Sequence, residues 1–124
     1  MEKKGGKMKL CYKNKKTQEL CEDYHKAIKH FGKDVALKLM GLINAMKSFP
    51  TLFDLKGFPQ YRLHALIGNH SGEYSFTIDK RYKWRLLVYP LDENGVPLSD
   101  RSNETALLMK SVAVEIMEVS EHYA

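Results

Sequence analysis

From Thr17 onward the hydrophobic period of the chain changes once, near Pro59: apolar residues recur every three or four positions before it and every second position after it. That switch divides a helical half from a strand half, because side chains return to one face after about 3.6 residues in a helix and after two in a strand. On the helical side, Leu20, Tyr24, Ala27, Ile28 and Phe31 form one apolar stripe. It predicts a first helix that opens at Thr17, whose hydroxyl can cap the first turn, and stops at Gly32. Val35, Leu39, Leu42, Ile43 and Met46 form a second stripe, with Asp34 as its cap. Ser48-Phe49-Pro50 ends it, since the residue before a proline disfavours helical backbone. The two helices then make a hairpin with a very short turn. Ahead of them, residues 7–12 alternate around Met8, Leu10 and Tyr12 and predict a short strand.

The segment carrying Leu52, Phe53, Leu55 and Pro59 reads as a loop. Beyond it, residues 61–66, 73–78, 84–89 and 112–119 alternate as strands, and the first two are joined through Gly68-Asn69-His70-Ser71-Gly72. Turns this short leave no room for a crossover, so the strands are expected to pair antiparallel. Asp92-Glu93-Asn94-Gly95-Val96-Pro97 is a turn signal, and the polar stretch that follows as far as Glu104 is expected to be a mobile excursion. The resulting expectation is an α+β fold: β-α-α followed by a four-stranded antiparallel run, with the helices packed on one face of the sheet. With 44% apolar and 28% charged residues over 124 positions, the chain is expected to fold as a single domain spanning 1–124, and a disordered polypeptide is excluded.

No run reaches the roughly 18 apolar residues of a membrane-spanning helix. The charged start has no apolar stretch behind it to act as a secretory signal, so a cytoplasmic protein without a membrane partner is expected. Cys11 and Cys21 have no metal-ligand or Cys-x-x-Cys spacing and read as reduced packing residues. Charge is unevenly spread: residues 1–33 carry ten Lys against four acids, residues 34–85 eight Lys or Arg against four, and residues 86–124 two against seven. One basic side able to meet a polyanion follows from that distribution, and RNA suits it better than a membrane.

Five histidines, at 25, 30, 64, 70 and 122, form no metal-binding pattern, and neither metal nor cofactor is expected. His25 and His30 read as solvated helix residues, and His70 as an exposed turn residue. In Arg62-Leu63-His64, by contrast, a cation and an imidazole project from one face of a predicted strand. Arg85, on an otherwise apolar strand, needs an anion or an open cleft to offset its desolvation. Lys80-Arg81-Tyr82-Lys83 is a basic turn suited to phosphate, and Glu121-His122-Tyr123 follows the last strand. His64, Arg85, His122 and Tyr123 together supply what cleavage of RNA by its own 2′-hydroxyl demands: a base, a cation for the phosphorane-like transition state and an acid for the leaving 5′-oxygen. Arg62, Lys80, Arg81 and Lys83 are the expected RNA-binding residues.

The order Leu63-His64-x-Leu66-x-Gly68, Gly72-x-Tyr74-Ser75-Phe76-x-Ile78, Trp84-Arg85-Leu86 and His122-Tyr123 resembles the RelE/ParE superfamily of bacterial toxins, and within it the HigB-type plasmid maintenance killer proteins. The likeness spans residues 49–90 and the last strand. It implies a RelE-like fold and a ribosome-dependent mRNA endoribonuclease with no metal requirement, held inactive by a cognate antitoxin of HigA-like, helix-turn-helix type. It also implies that His64 and Arg85 act at the scissile phosphate and that His122 and Tyr123 complete the site. The chain departs from the pattern at Ile67, where relatives have a lysine, which leaves that charge to Arg62 or Lys83. It departs again at Asn69-His70 and in the longer segment 91–111, expected to alter only a loop. A ParE-like gyrase inhibitor, or a member that only binds, is the alternative on the same fold.

Overall fold

The computed structural model describes residues 6–81 and 83–121. Strand β1 (Lys9–Tyr12) leads into α1 (Lys15–Glu22), α2 (Tyr24–Phe31) and α3 (Lys33–Ser48), and a short α4 (Leu52–Lys56) follows. Strands β2 (His64–Ala65), β3 (Tyr74–Asp79) and β4 (Trp84–Leu91) come next, then α5 (Glu104–Lys110) and β5 (Ala113–Glu121). The sheet has the order β1-β5-β4-β3-β2. Its last four strands form the expected antiparallel run, and β1 adds a fifth strand parallel to β5, pairing Lys9 with Ala113 and Tyr12 with Ile116.

Alternation explains the two faces of the sheet. Tyr74, Phe76 and Ile78 of β3, Leu86 and Val88 of β4, and Val114 and Ile116 of β5 turn to one side. There they meet Val35, Leu39, Leu42, Ile43 and Met46 of α3, the stripe read from the sequence, all fully buried. At about 1.5–3 kcal/mol for each large aliphatic side chain taken out of water, this helix-on-sheet layer is the main source of stability. Among the described residues, no helix is long and apolar enough to cross a membrane.

Several expectations need correction. The first helix is two helices: Asp23 takes extended backbone, its N–H donates to the Glu19 carbonyl and its carboxylate accepts from the Lys26 N–H at 3.2 Å, so it ends α1 and caps α2. Asn14, not Thr17, caps α1, and Thr17 is buried. At α3 the cap position falls to Gly32, at φ 88°, with Asp34 inside the first turn. The supposed loop at Leu52 is helical, because the Asp54 carboxylate accepts from both the N–H and the hydroxyl of Thr51 at 3.1 Å. Residues 61–66 are not a continuous strand: Pro59–Tyr61 is a 3-10 turn, Arg62 is left-handed and only His64–Ala65 pairs. Of the cysteines, Cys21 packs in the core and Cys11 is exposed on the edge strand.

Nor is the segment 91–111 only a loop: the polar stretch toward Glu104, expected to be a mobile excursion, is tied to β4 by the Leu98 N–H donating to the Pro90 carbonyl at 2.9 Å, and α5 follows. After the turn closed by the Asp92 N–H to the Val96 carbonyl at 2.9 Å, the segment delivers Leu107 and Leu108 to the core. Glu104 accepts the Tyr74 hydroxyl at 2.9 Å, and Arg101 lies over the Tyr74 ring at 5.1 Å. Burial, the bond to Glu104 and the charge of that carboxylate push the Tyr74 phenol up to about 12.

Two outcomes follow. Leu108→Ala should lower the free energy of unfolding by about 2–5 kcal/mol in a urea titration, as for any buried leucine emptied to a cavity, whereas exposed Met109→Ala should change it little. The folded chain also retains the Tyr74 proton where the unfolded chain has lost it, so that part of its stability is intact below pH 10 and drains away as pH rises to about 12. Tyr74→Phe should flatten this alkaline loss in pH-dependent melts.

Candidate active site

Because Leu86 and Val88 face the helices, the residues between and beside them face the other way, and Arg85 is among these. It lies across from Thr77 on β3 and Ser120 on β5. Its Nε donates to the Ser120 hydroxyl at 3.2 Å, which fixes the guanidinium plane through its inner nitrogen. The outer edge carries four more N–H groups, in the paired geometry that grips phosphate oxygens.

A cleft of about 310 Å³ opens over this face. Ser75 and Thr77 line its floor, and Trp84 forms a wall, braced edge-on by Phe31 at 4.8 Å between ring centroids. His64, Arg62, Lys80 and Lys83 surround Arg85. A bulge between Thr77 and Asp79 bends β3 at this point, a device that re-aims side chains beside functional sites.

Two of the cations are placed by unusual backbone. Arg62 (φ 45°) and Lys83 (φ 63°) are the non-glycine residues with positive φ among those described, a conformation costing about 1–2 kcal/mol per residue. Arg62 closes the turn that begins at Pro59, donating its N–H to the Pro59 carbonyl at 3.1 Å, and Lys83 closes the β3–β4 turn on the Lys80 carbonyl at 3.3 Å. Strain of this kind concentrates where a side chain must point somewhere particular. Here both residues line the same cleft.

Arg62 also orients His64, whose Nδ1 lies 2.7 Å from the Arg62 carbonyl oxygen. A carbonyl can only accept, so Nδ1 carries the proton, and in the singly protonated form of the ring the lone pair lies at Nε2. In that form the ring can accept a proton at Nε2.

Of the predicted site residues, the fold brings together His64, Arg85, Arg62, Lys80 and Lys83. Arg62 and His64 do so from a turn and a short strand, not from one strand face. Arg81 stands apart, in a neighbouring groove, with its guanidinium 3.7 Å from the Asp34 carboxylate. His122 and Tyr123 lie outside the described residues. Ile67 is 87% exposed and outside the cleft lining. His25 and His30 are exposed, and His70 faces Glu73 at 3.4 Å. Ser120 was missed in the sequence. Its signal is the register of β5 against β4, which local alternation does not reveal.

Arg62→Gly keeps the carbonyl and suits the left-handed backbone, so fold stability should hold or rise by up to about 1 kcal/mol. The His64 ring should stay protonated at Nδ1, as read by nitrogen chemical shifts of the imidazole. Arg62→Val, disfavoured at positive φ, should shift the ring toward a mixture of tautomers and lower stability.

No protein-family model and no curated protein sequence matches the chain. Solved structures do. The YoeB-YefM complex from Staphylococcus aureus is 18% identical, with 95% of this chain and 100% of that chain covered and a TM-score of 0.48. The YoeB/ParE toxin from Agrobacterium tumefaciens is 16% identical, over 94% of this chain and 100% of that chain, with a TM-score of 0.51. At that identity the likeness is one of architecture: the chain has the α+β fold of the YoeB/ParE toxin structure.

Proposed function

We propose that this chain is the toxin of a type II toxin-antitoxin pair and an endoribonuclease of the HigB kind, cutting mRNA held on the ribosome through attack by the ribose 2′-hydroxyl. The observation that carries the reading is the convergence of an oriented imidazole, His64, with Arg85 and three further cations in one open cleft. The fold shared with a YoeB/ParE toxin supports it.

In this reading His64 Nε2 takes the 2′-hydroxyl proton as the 2′-oxygen bonds to phosphorus. Arg85, with Arg62, Lys80 and Lys83, stabilises the charge that builds on the non-bridging oxygens. The bond to the 5′-oxygen then breaks, and that oxygen takes a proton from an acid. His122 and Tyr123 are the candidates for that acid, as the motif resemblance implies. The products are a 2′,3′-cyclic phosphate and a 5′-hydroxyl, and no step calls for a metal ion. A toxin of this kind is compatible with its own cell only when covered, so the reading carries an antitoxin partner, of the helix-turn-helix type that the motif resemblance implies.

Mapping mRNA ends in a purified translation system tests it. Cleavage should give those termini, should depend on ribosomes and should persist in EDTA wherever the ribosome stays intact. Arg85→Ala should lose about 10²-fold or more, the scale of removing a preorganised charge from a developing anion. His64→Ala or His122→Ala should lose about 10²–10⁴-fold as proton carriers. Tyr123→Phe should cost less, a phenol being a poor base at neutral pH. Ribosome association should weaken steeply with salt, since each phosphate contact releases counterions. Full toxicity in all four variants would replace this reading with a ParE-like or binding-only one.

A further inference from the structure

Beside the cleft lies a second, larger groove of about 590 Å³ that the chemistry above does not use. Lys38 and Gly41 of α3 form one side, Tyr61 and Arg62 the other, and Lys80 and Arg81 close the end. Arg62 and Lys80 line both spaces, so groove and cleft share a border. The groove is cationic overall: Asp79, on its wall, is engaged by the Arg81 N–H at 2.9 Å, and Asp34 pairs with the Arg81 guanidinium. Tyr61 is a rigid aromatic surface, held edge-on against Phe76 at 6.3 Å and near Phe58 at 6.0 Å.

Gly41 adds an independent observation. It sits inside a 16-residue helix, where glycine costs roughly 0.5–1 kcal/mol against alanine. A Cβ built there meets nothing within 4 Å, so no neighbour in the chain requires the glycine. What the missing side chain does is widen the groove.

We propose that this groove seats the nucleotide next to the scissile phosphate: a single-stranded RNA subsite in which Tyr61 supports the base, Lys38 and Lys80 hold the phosphate, and Gly41 lets the strand pass close to α3. The inference rests on the RNA-cleaving reading of the cleft and extends it to how the strand is held in register. A flexible strand crossing from groove to cleft by way of Arg62 and Lys80 would meet cations along its whole path, with one aromatic face for a base, the arrangement that binds single strands without reading sequence.

The test uses deoxy-oligonucleotides, which lack the attacking hydroxyl and are not consumed. Affinities of a dinucleotide and a hexanucleotide are measured by fluorescence anisotropy at low salt. The hexanucleotide should bind the unaltered protein about tenfold or more tighter, the size of one stacked base with a phosphate contact. Gly41→Glu, which places a carboxylate in the groove, should remove that increment and leave the dinucleotide unchanged. Lys38→Glu should do the same, and Gly41→Ala should melt higher than the parent, showing that the helix accepts substitution. Arg85→Ala should weaken both lengths. If Gly41→Glu and Lys38→Glu bind the hexanucleotide like the parent while Arg85→Ala weakens it, the subsite is wrong and the cleft reading survives. If Arg85→Ala changes neither length, the cleft reading fails and takes the subsite with it.

Discussion

The antiparallel pairing of β4 with β5 is the constraint on which the rest of the molecule depends. It runs from Trp84 opposite Glu121 to Leu91 opposite Ala113, and it does two things at once. On the helix side it packs Leu86 and Val88 against Val114 and Ile116, the centre of the core. On the other side it sets Ser120 where its hydroxyl meets Arg85 Nε. A slip of one residue would exchange the two faces, sending the guanidinium into the helices and the leucine into water. Core and cleft are therefore specified by the same register, and neither can be altered alone.

Arg85 is placed by regular structure, whereas the cations around it are placed by irregular structure. Arg62 and Lys83 sit at turns where glycine would be the relaxed choice. The core, buried on the far face, holds these turns in place at a small free-energy cost. The result is directional: two residues, one just before β2 and one just before β4, line one cleft, and the carbonyl of Arg62 orients the imidazole.

The strand half was largely readable in the sequence, because period-two alternation is a property of each strand by itself and survives in Trp84-Arg85-Leu86 and Tyr74-Ser75-Phe76. Arg85 as the charged residue of an apolar strand was readable for the same reason. What escaped depended on partners distant in the chain or on backbone that the residue type does not announce. Tyr24, Ala27 and Ile28 continue the stripe begun at Leu20, so periodicity passes through the break at Asp23 unmarked, although the break is a cap of ordinary chemistry. α5 spans seven residues, too few for a helical period to show, and only its tertiary contacts make it part of the core. The parallel β1–β5 pairing leaves no local trace at all. Arginine and lysine are poor signals for left-handed backbone, so the convergence of Arg62 and Lys83 was visible as charge and not as geometry.

β5 occupies the inside of the sheet, between β1 and β4, yet follows every other strand in the chain. During synthesis, then, β1 has no neighbour and β4 only one until residues 113–121 emerge. The growing polypeptide keeps two open edges and an incomplete apolar layer until that moment, with Arg85 still lacking the hydroxyl that orients it. Long-range pairing of this kind closes late because its ends must first find each other. A ribosome that has not yet released residues 113–121 holds a chain whose Arg85 lacks its Ser120 partner, so the topology itself delays the oriented site until β5 has emerged.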